Sequence, residues 1–141
     1  MREALAEAAA ATAAGERPIG AVVVVAGKVV SRGRSRQNEL RSQLAHAELE
    51  ALQTGGDAVW ERYREAVLFT TVEPCPLCLG AAVMADVPHV VYALHDPLVE
   101  TYRLIEGSPY VARHIETYFG GMLEREAMAL VERHRRGTTP P

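Results

Sequence analysis

One imidazole, two thiols and one carboxylate stand at a spacing that suits a reactive metal site. His46 and Glu48 form a His-x-Glu pair, and Cys75 and Cys78 form a Cys-x-x-Cys pair further along the chain. Imidazole and thiolate are ligands that Zn²⁺ prefers, and three protein ligands leave the fourth corner of a tetrahedral ion free for water. A structural zinc site fills all four corners. The set His46, Cys75 and Cys78 therefore predicts a catalytic zinc site.

Glu48 is interpreted as the proton carrier of this site and not as a ligand. A water that attacks an amine-bearing ring carbon has to lose a proton, and the departing amine has to gain one. One carboxylate near the metal can serve both transfers. Residues two apart on a regular helix point roughly 200° away from each other. We therefore expect His46 and Glu48 in the very first turn of a helix, where their side chains can converge.

The Cys-x-x-Cys pair has a second interpretation, as a thiol redox pair. Cys75 and Cys78 are the two cysteines of the chain, so there is no second pair and no disulfide framework. The His-x-Glu pair upstream supplies what a zinc site needs and a redox pair does not. The combination favours a metal site.

Local patterns predict helices and strands that bring these residues to one place. The strand predicted over 66–72, the helix that begins at Pro74 to Pro76 and the strand predicted over 89–94 form one βαβ unit, whose two strands should be parallel. Ligands bind such sheets beyond the carboxyl ends of the strands, where Cys75 and Cys78 fall. The other predicted elements are a helix over 2–14, a hairpin of 19–26 and 29–32, an arginine-rich loop to about 44, a helix over 45–53, a helical connection over 57–65 with Trp60 in the core, a helix over 98–106, a strand over 112–118 and a helix over 122–136.

Length and composition limit the classes of function. With 141 residues, 48% of them hydrophobic, residues 1–141 should form a single domain with a proper core. The apolar runs are too short to cross a membrane, and the alanine-rich start lacks the features of a signal peptide, so we expect a cytoplasmic protein without a membrane partner. A net charge of −3 gives no general indication of nucleic-acid binding.

The local charge is less even than the net charge. Arg32, Arg34, Arg36 and Arg41 cluster shortly before His46. This cluster suits a solvated loop, and it also suits an RNA-binding patch. The solvated loop is the preferred interpretation.

Four stretches resemble the cytidine-deaminase-like superfamily, on the branch with a histidine as first ligand. They are residues 17–22, 46–48, 73–81 and 121–127, and the span from the first to the last of them takes in most of the chain. The stretch 73–81 is most similar to guanine deaminases and tRNA adenosine deaminases of bacteria. The resemblance implies an α/β fold with three layers, a mixed five-stranded sheet between helices. It also implies Zn²⁺ held by His46, Cys75 and Cys78, proton transfer by Glu48, and a homodimer.

The chain departs from these relatives where substrate should bind. The purine-deaminating relatives carry an asparagine eleven positions before the ligand histidine, whereas this chain has Ser35, with Asn38 nearby. After the strand predicted over 89–94, His95 and Asp96 stand where the tRNA adenosine deaminases have Arg-Asp. Ser35, Asn38, His95 and Asp96 are therefore candidate substrate-binding residues. Asn38 and Asp96 suit simple turn roles equally well.

Three functions compete on this basis. The leading hypothesis is a zinc-dependent hydrolytic deaminase of a small amino-bearing nucleobase or nucleoside, with a guanine-like purine as the first candidate and ammonia as product. The second is a tRNA adenosine-to-inosine deaminase, in which tRNA is the partner. The third is a non-catalytic, zinc-stabilised partner subunit, against which the presence of Glu48 argues.

Overall fold

A computed structural model describes residues 1–138 and contains seven α-helices and five strands over that range. The helices are α1 (Arg2–Ala13), α2 (Ala47–Thr54), α3 (Gly56–Arg62), α4 (Pro76–Met84), α5 (Tyr102–Gly107), α6 (Pro109–Ala112) and α7 (Glu124–Thr138). The strands are β1 (Gly20–Val25), β2 (Lys28–Arg34), β3 (Ala66–Val72), β4 (His89–Leu94) and β5 (Thr117–Phe119).

The five strands form one mixed sheet in the order β2-β1-β3-β4-β5. Strand β1 is antiparallel to both β2 and β3, while β3, β4 and β5 are mutually parallel. The hairpin between β1 and β2 turns at Ala26 and Gly27, which have φ of 48° and 75°. Two successive positive φ angles are what a tight hairpin turn requires. The predicted α/β class, the mixed five-stranded sheet and the parallel pair of β3 and β4 are confirmed.

Helices cover both faces of the sheet. On one face, Ala47 and Ala51 of α2 and Leu79 of α4 are buried in a core against Val23 of β1 and Leu68 of β3. On the other face, Ala127 of α7 packs with Ala93 of β4 and Leu5 of α1 in a second, smaller core. The sheet and its two helical layers place the starts of α2 and α4 on the same side.

Glycines let two helices lie directly on the strands. A Cβ atom at Gly20 of β1 would stand 2.3 Å from the carbonyl oxygen of Ala4 in α1. A Cβ atom at Gly33 of β2 would stand 2.1 Å from the carbonyl oxygen of Ala47 in α2. Helix α2, which begins directly after His46, is thus seated against β2 with no room for a side chain between them.

Three expectations about the elements are wrong. Strand β2 runs to Arg34, because its ladder with β1 continues through the first arginines of the expected loop. The strand expected over 112–118 begins only at Thr117, because Ser108 caps a short helix, α6, which has Pro109 at its first position. Trp60 lies at the surface with 83% of its side chain exposed instead of in the core.

None of the helices in residues 1–138 combines the length and the apolar character needed to span a bilayer.

Candidate active site

Three side chains that could hold a metal ion meet where α2 and α4 begin. The Nδ1 atom of His46 lies 3.2 Å from Sγ of Cys78 and 3.6 Å from Sγ of Cys75, and the two sulfurs are 3.6 Å apart. With the usual bond lengths, a tetrahedral zinc site has nitrogen–sulfur edges of about 3.6 Å and sulfur–sulfur edges of about 3.8 Å. The three observed distances fit such a site. Cys78 is fully buried, while His46 and Cys75 are partly accessible.

Helix capping explains why these residues converge. His46 is the N-cap of α2 and Cys75 is the N-cap of α4, and both have extended backbone angles. Pro76 occupies the first position of α4, which suits proline because that position has no intrahelical N–H partner. Residues two apart within a regular helix point roughly 200° away from each other, but His46 is an N-cap with extended backbone angles, so this separation does not hold between His46 and Glu48. Its side chain and that of Glu48 therefore lie on the same side, in the first turn of the helix as predicted.

Glu48 lies beside the three candidate ligands and is almost completely buried. Its Oε1 atom accepts a hydrogen bond from the Thr70 hydroxyl at 2.9 Å, and its Oε2 atom is 3.4 Å from the Cys78 sulfur. Burial raises the pKa of Glu48, and the hydrogen bond from Thr70 opposes that change. A carboxyl group with a raised pKa holds a proton more readily than an exposed one, which suits a group that has to take up a proton and release it again.

The two thiols differ in their readiness to ionise. The hydrogen bond between the two sulfurs lowers the pKa of Cys75 to about 5, helped by backbone N–H groups at the start of α4. The same hydrogen bond and burial raise the pKa of Cys78. The pair thus carries one negative charge readily and a second only beside a cation.

His46, Cys75 and Glu48 line a cleft of about 120 Å³. Pockets for drug-sized ligands measure about 300–1,000 Å³, so this cleft admits one small ring system. Its apolar walls come from Ile19, Val72 and Val99, and its remaining polar lining includes Arg17, Ser35, Gln37 and Asp96.

Residues 1–94 match the family model of the cytidine and deoxycytidylate deaminase zinc-binding region. This match spans two thirds of the chain and contains His46, Glu48, Cys75 and Cys78. The chain belongs to this family. Membership in the cytidine-deaminase-like superfamily is confirmed, and with it a zinc-dependent deaminase as the class of enzyme and Zn²⁺ as the cofactor.

Curated relatives and solved structures agree with this assignment. A tRNA-specific adenosine deaminase of Bacillus subtilis is 38% identical in an alignment 136 residues long, which covers 87% of this chain and 83% of that protein. A structure from work on A-to-I editing by tRNA:A34 deaminases superposes with a TM-score of 0.81 at 32% identity, over 92% of this chain and 96% of that one. A guanine deaminase from Nitrosomonas europaea gives a TM-score of 0.78 at 26% identity, over 94% and 81% of the two chains. The chain spans between 8% and 58% of the length of several other curated relatives.

This deaminase brings two of the four predicted substrate-binding residues into the cleft. Ser35 is buried in its lining, and Asp96 lies on the wall formed after β4. Asn38 is turned away, because its side-chain amide donates to the carbonyl oxygen of Gly15 at 3.1 Å. His95 is not among the residues that line the cleft, and its Nδ1 lies 2.6 Å from Oε2 of Glu73.

Other residues at the site did not emerge from the sequence. Thr70 contacts Glu48 from the middle of β3, and Gln37 lines the cleft two residues after Ser35. Glu73 is part of the recognised stretch 73–81, but its partners are distant in the chain. The alternation of buried residues along β3 could have placed Thr70 on the face that α2 covers, whereas Gln37 and Glu73 carry no local signal.

The arginine cluster is largely paired with carboxylates. Arg32 lies 2.6 Å from Glu3, and Arg36 bonds Glu39 at 2.6 Å and Glu50 at 3.0 Å. Arg34 contacts Glu39 more loosely, at 3.8 Å. These pairs neutralise most of the local positive charge, in agreement with the preferred interpretation of the cluster.

Proposed function

We propose that residues 1–141 form one hydrolytic deaminase domain that acts on an amino-bearing purine or a related heterocycle and releases ammonia. His46, Cys75 and Cys78 hold the zinc ion, and Glu48 moves protons. The observation that carries this proposal is the convergence of these four side chains at one cleft, lined by His46, Glu48 and Cys75, that is large enough for a single ring system.

The roles of the residues follow from their contacts. Zinc, when bound, supplies a Lewis acid that lowers the pKa of water to near neutrality. Glu48 takes one proton of the attacking water at a carboxylate oxygen and passes it to a ring nitrogen. It then takes the proton of the newly formed hydroxyl group and delivers it to the amine, which leaves as ammonia. Thr70 holds the carboxylate in place through Oε1, so that Oε2 remains directed at the metal side of the cleft.

Replacement of Glu48 tests this mechanism. We expect Glu48→Ala to abolish ammonia release while the protein keeps one zinc ion per chain, because Glu48 is not a ligand. The matched control is Glu61→Ala, which removes an exposed carboxylate on α3 and should leave both properties unchanged. Turnover retained by Glu48→Ala would refute the mechanism.

We propose a free base or nucleoside as the substrate, with a guanine-like purine as the first candidate. The small cleft and the paired arginines support this choice, because RNA binding rests on concentrated positive charge that is available to phosphates. The guanine deaminase among the similar structures supports it as well.

A specific observation favours tRNA as an alternative substrate. The Bacillus subtilis relative and the tRNA:A34 deaminase structure match nearly the full chain at higher identity than the guanine deaminase. Ammonia release should be measured from guanine, adenine, cytosine, their nucleosides and an anticodon stem-loop with adenosine at the wobble position. Turnover of the stem-loop alone, with strong salt dependence, would establish the tRNA activity and overturn the small-molecule proposal.

The same panel tests the non-catalytic alternative. A partner subunit would carry zinc and turn over none of these compounds. The buried Glu48 with its hydrogen bond from Thr70 argues against that role, since a zinc site without catalysis has no need of a desolvated carboxylate.

We also propose a homodimer, as the resemblance implies. Large apolar side chains are exposed on the layer of α3 and α4, with Trp60 at 83% and Met84 at 73%. Light scattering of the zinc-loaded protein tests the oligomeric state, and a monomer at micromolar concentration would refute the dimer.

A further inference from the structure

A buried carboxylate in the lining of the cleft holds both ends of one loop. Glu73 directly follows β3, and its side chain is completely buried. Its Oε2 atom accepts a hydrogen bond from the backbone N–H of Asp96 at 3.1 Å, and its Oε1 atom accepts one from the backbone N–H of Thr101 at 2.9 Å. Residues 95–101, the loop between β4 and α5, are thus closed by the two oxygens of one side chain.

Further contacts strengthen this attachment. The Tyr118 hydroxyl donates to Oε1 of Glu73 at 3.0 Å, and the Thr101 hydroxyl donates to the carbonyl oxygen of Pro74 at 2.5 Å. Burial, together with the nearby Glu73 carboxylate, raises the pKa of Tyr118, so its hydroxyl remains a donor. The imidazole of His95 contacts Oε2. Each of the two carboxylate oxygens of Glu73 therefore has two polar partners.

The loop itself has a shape that needs such support. Asp96 organises its first half, because its side chain accepts from the N–H of Leu98 and its carbonyl accepts from the N–H of Val99. Glu100 has φ of 40°, in the left-handed region that a residue with a Cβ atom adopts at a cost. Such a conformation persists where the surrounding contacts over-determine it, and Thr101, the next residue, is fully buried and bonded through both N–H and hydroxyl.

The loop is also a wall of the catalytic cleft. Asp96 and Val99 line the same cleft as His46 and Glu48. We propose that Glu73, Thr101 and Tyr118 form a clamp of positioning residues that sets this wall against the substrate ring, and so determines substrate affinity and the choice of ring rather than proton transfer. The proposal rests on the proposed function in one respect, that the cleft is where substrate binds.

Hydrogen exchange tests the clamp without reference to any substrate. In the zinc-loaded protein, Tyr118→Phe and Thr101→Val should speed amide exchange at least tenfold within residues 95–101 and leave the first turns of α2 and α4 unchanged. The matched control is Tyr110→Phe, which removes an exposed hydroxyl that donates to the sulfur of Met84 at 3.9 Å. Wild-type exchange in the loop of both variants would refute the clamp.

Steady-state kinetics test its effect on the cleft. For the best substrate of the panel, Tyr118→Phe and Thr101→Val should raise KM about five- to tenfold, with kcat within twofold of wild type and zinc content unchanged. Thr101→Ser keeps the hydroxyl and should restore KM. A fall in kcat together with loss of zinc would refute the proposal, because these residues would then support the metal site instead. An unchanged KM together with faster amide exchange would also refute it, because the loop would then not face the substrate. A wild type without any turnover would refute the proposed function, while the exchange data would still decide for or against the clamp.

Discussion

The contact between β2 and α2 leads to a prediction about how the site is held. A methyl group at Gly33 would lie 2.1 Å from the carbonyl oxygen of Ala47 and 2.6 Å from the backbone nitrogen of Ala51. Both are backbone atoms of α2 and cannot rotate away. In Gly33→Ala the helix therefore has to move outward by about 1 Å to approach an ordinary van der Waals distance.

The expected cost can be estimated from this displacement. Overpacking a close contact destabilises a protein by about 1–3 kcal/mol, and a rigid backbone contact belongs at the upper end. For a chain of this size, about 3 kcal/mol lowers Tm by roughly 10 °C. A shift of 1 Å in a catalytic group costs about 100-fold in rate, and the first turn of α2 carries Glu48 beside the N-cap His46.

Gly20→Ala is the matched control. A methyl group at Gly20 would lie 2.3 Å from backbone atoms of Ala4 and Ala8 in α1, which carries none of the candidate site residues. In the zinc-loaded protein, thermal unfolding should show similar losses of Tm for both variants. Only Gly33→Ala should lower kcat about 100-fold and lose zinc on dialysis. A wild-type Tm for Gly33→Ala would refute the packing argument, and equal losses of kcat would refute the claim that this contact positions the site.

Two further predictions concern the buried hydrogen bond and the thiols. Thr70→Val should lower kcat about tenfold or more with zinc retained, since a hydrogen bond to a charged group contributes about 1.5–3 kcal/mol. The matched control is Thr71→Val, which removes a buried hydroxyl that accepts from the N–H of Gly20 and should leave kcat unchanged. Equal losses of kcat in the two variants would refute the role of Thr70. In zinc-stripped protein, iodoacetamide should label Cys75 rapidly at pH 7, because the pKa of Cys75 is lowered to about 5. The labelling of Cys75 should slow as the pH falls through 5. Cys78, whose pKa is raised, should stay unlabelled. Added zinc should prevent the labelling, as mass spectrometry would show, and a rate that keeps rising up to pH 9 would contradict the lowered pKa.

The metal end of the site could be predicted from sequence because its information is local. Each half of the motif lies within one helix start, and capping geometry determines where its side chains point. The expectation that His46 and Glu48 share a first turn followed from helical periodicity alone, and the N-cap position of His46 satisfies it. The βαβ unit then placed Cys75 and Cys78 at the carboxyl end of β3.

The substrate end could not be predicted in the same way, because its residues are placed by partners distant in the chain. Asn38 is held by Gly15 and by the buried carboxylate of Glu16, which accepts from its backbone N–H. His95 is directed to Glu73. Neither partner can be inferred from the spacing of residues. Helix α6 is different, since Ser108 and Pro109 form a recognisable helix start that the strand-like pattern after it obscured.

Glu73 belongs to the local zinc motif by its position in the sequence and to the substrate end of the site by its contacts. It stands two residues before Cys75, within the locally encoded motif, yet its carboxylate closes a loop that lies outside that motif. The two hydrogen bonds that close the loop are donated by backbone N–H groups, which any residue except proline supplies, and Thr101 adds its hydroxyl. Substitutions at Val99 can therefore alter the cleft wall while the attachment and the candidate zinc ligands stay in place. Such an arrangement permits one family to combine a single metal site with several substrates. It also explains why the motif around His46 and Cys75 determines the reaction, while residues of the cleft wall such as Val99 determine which ring is bound.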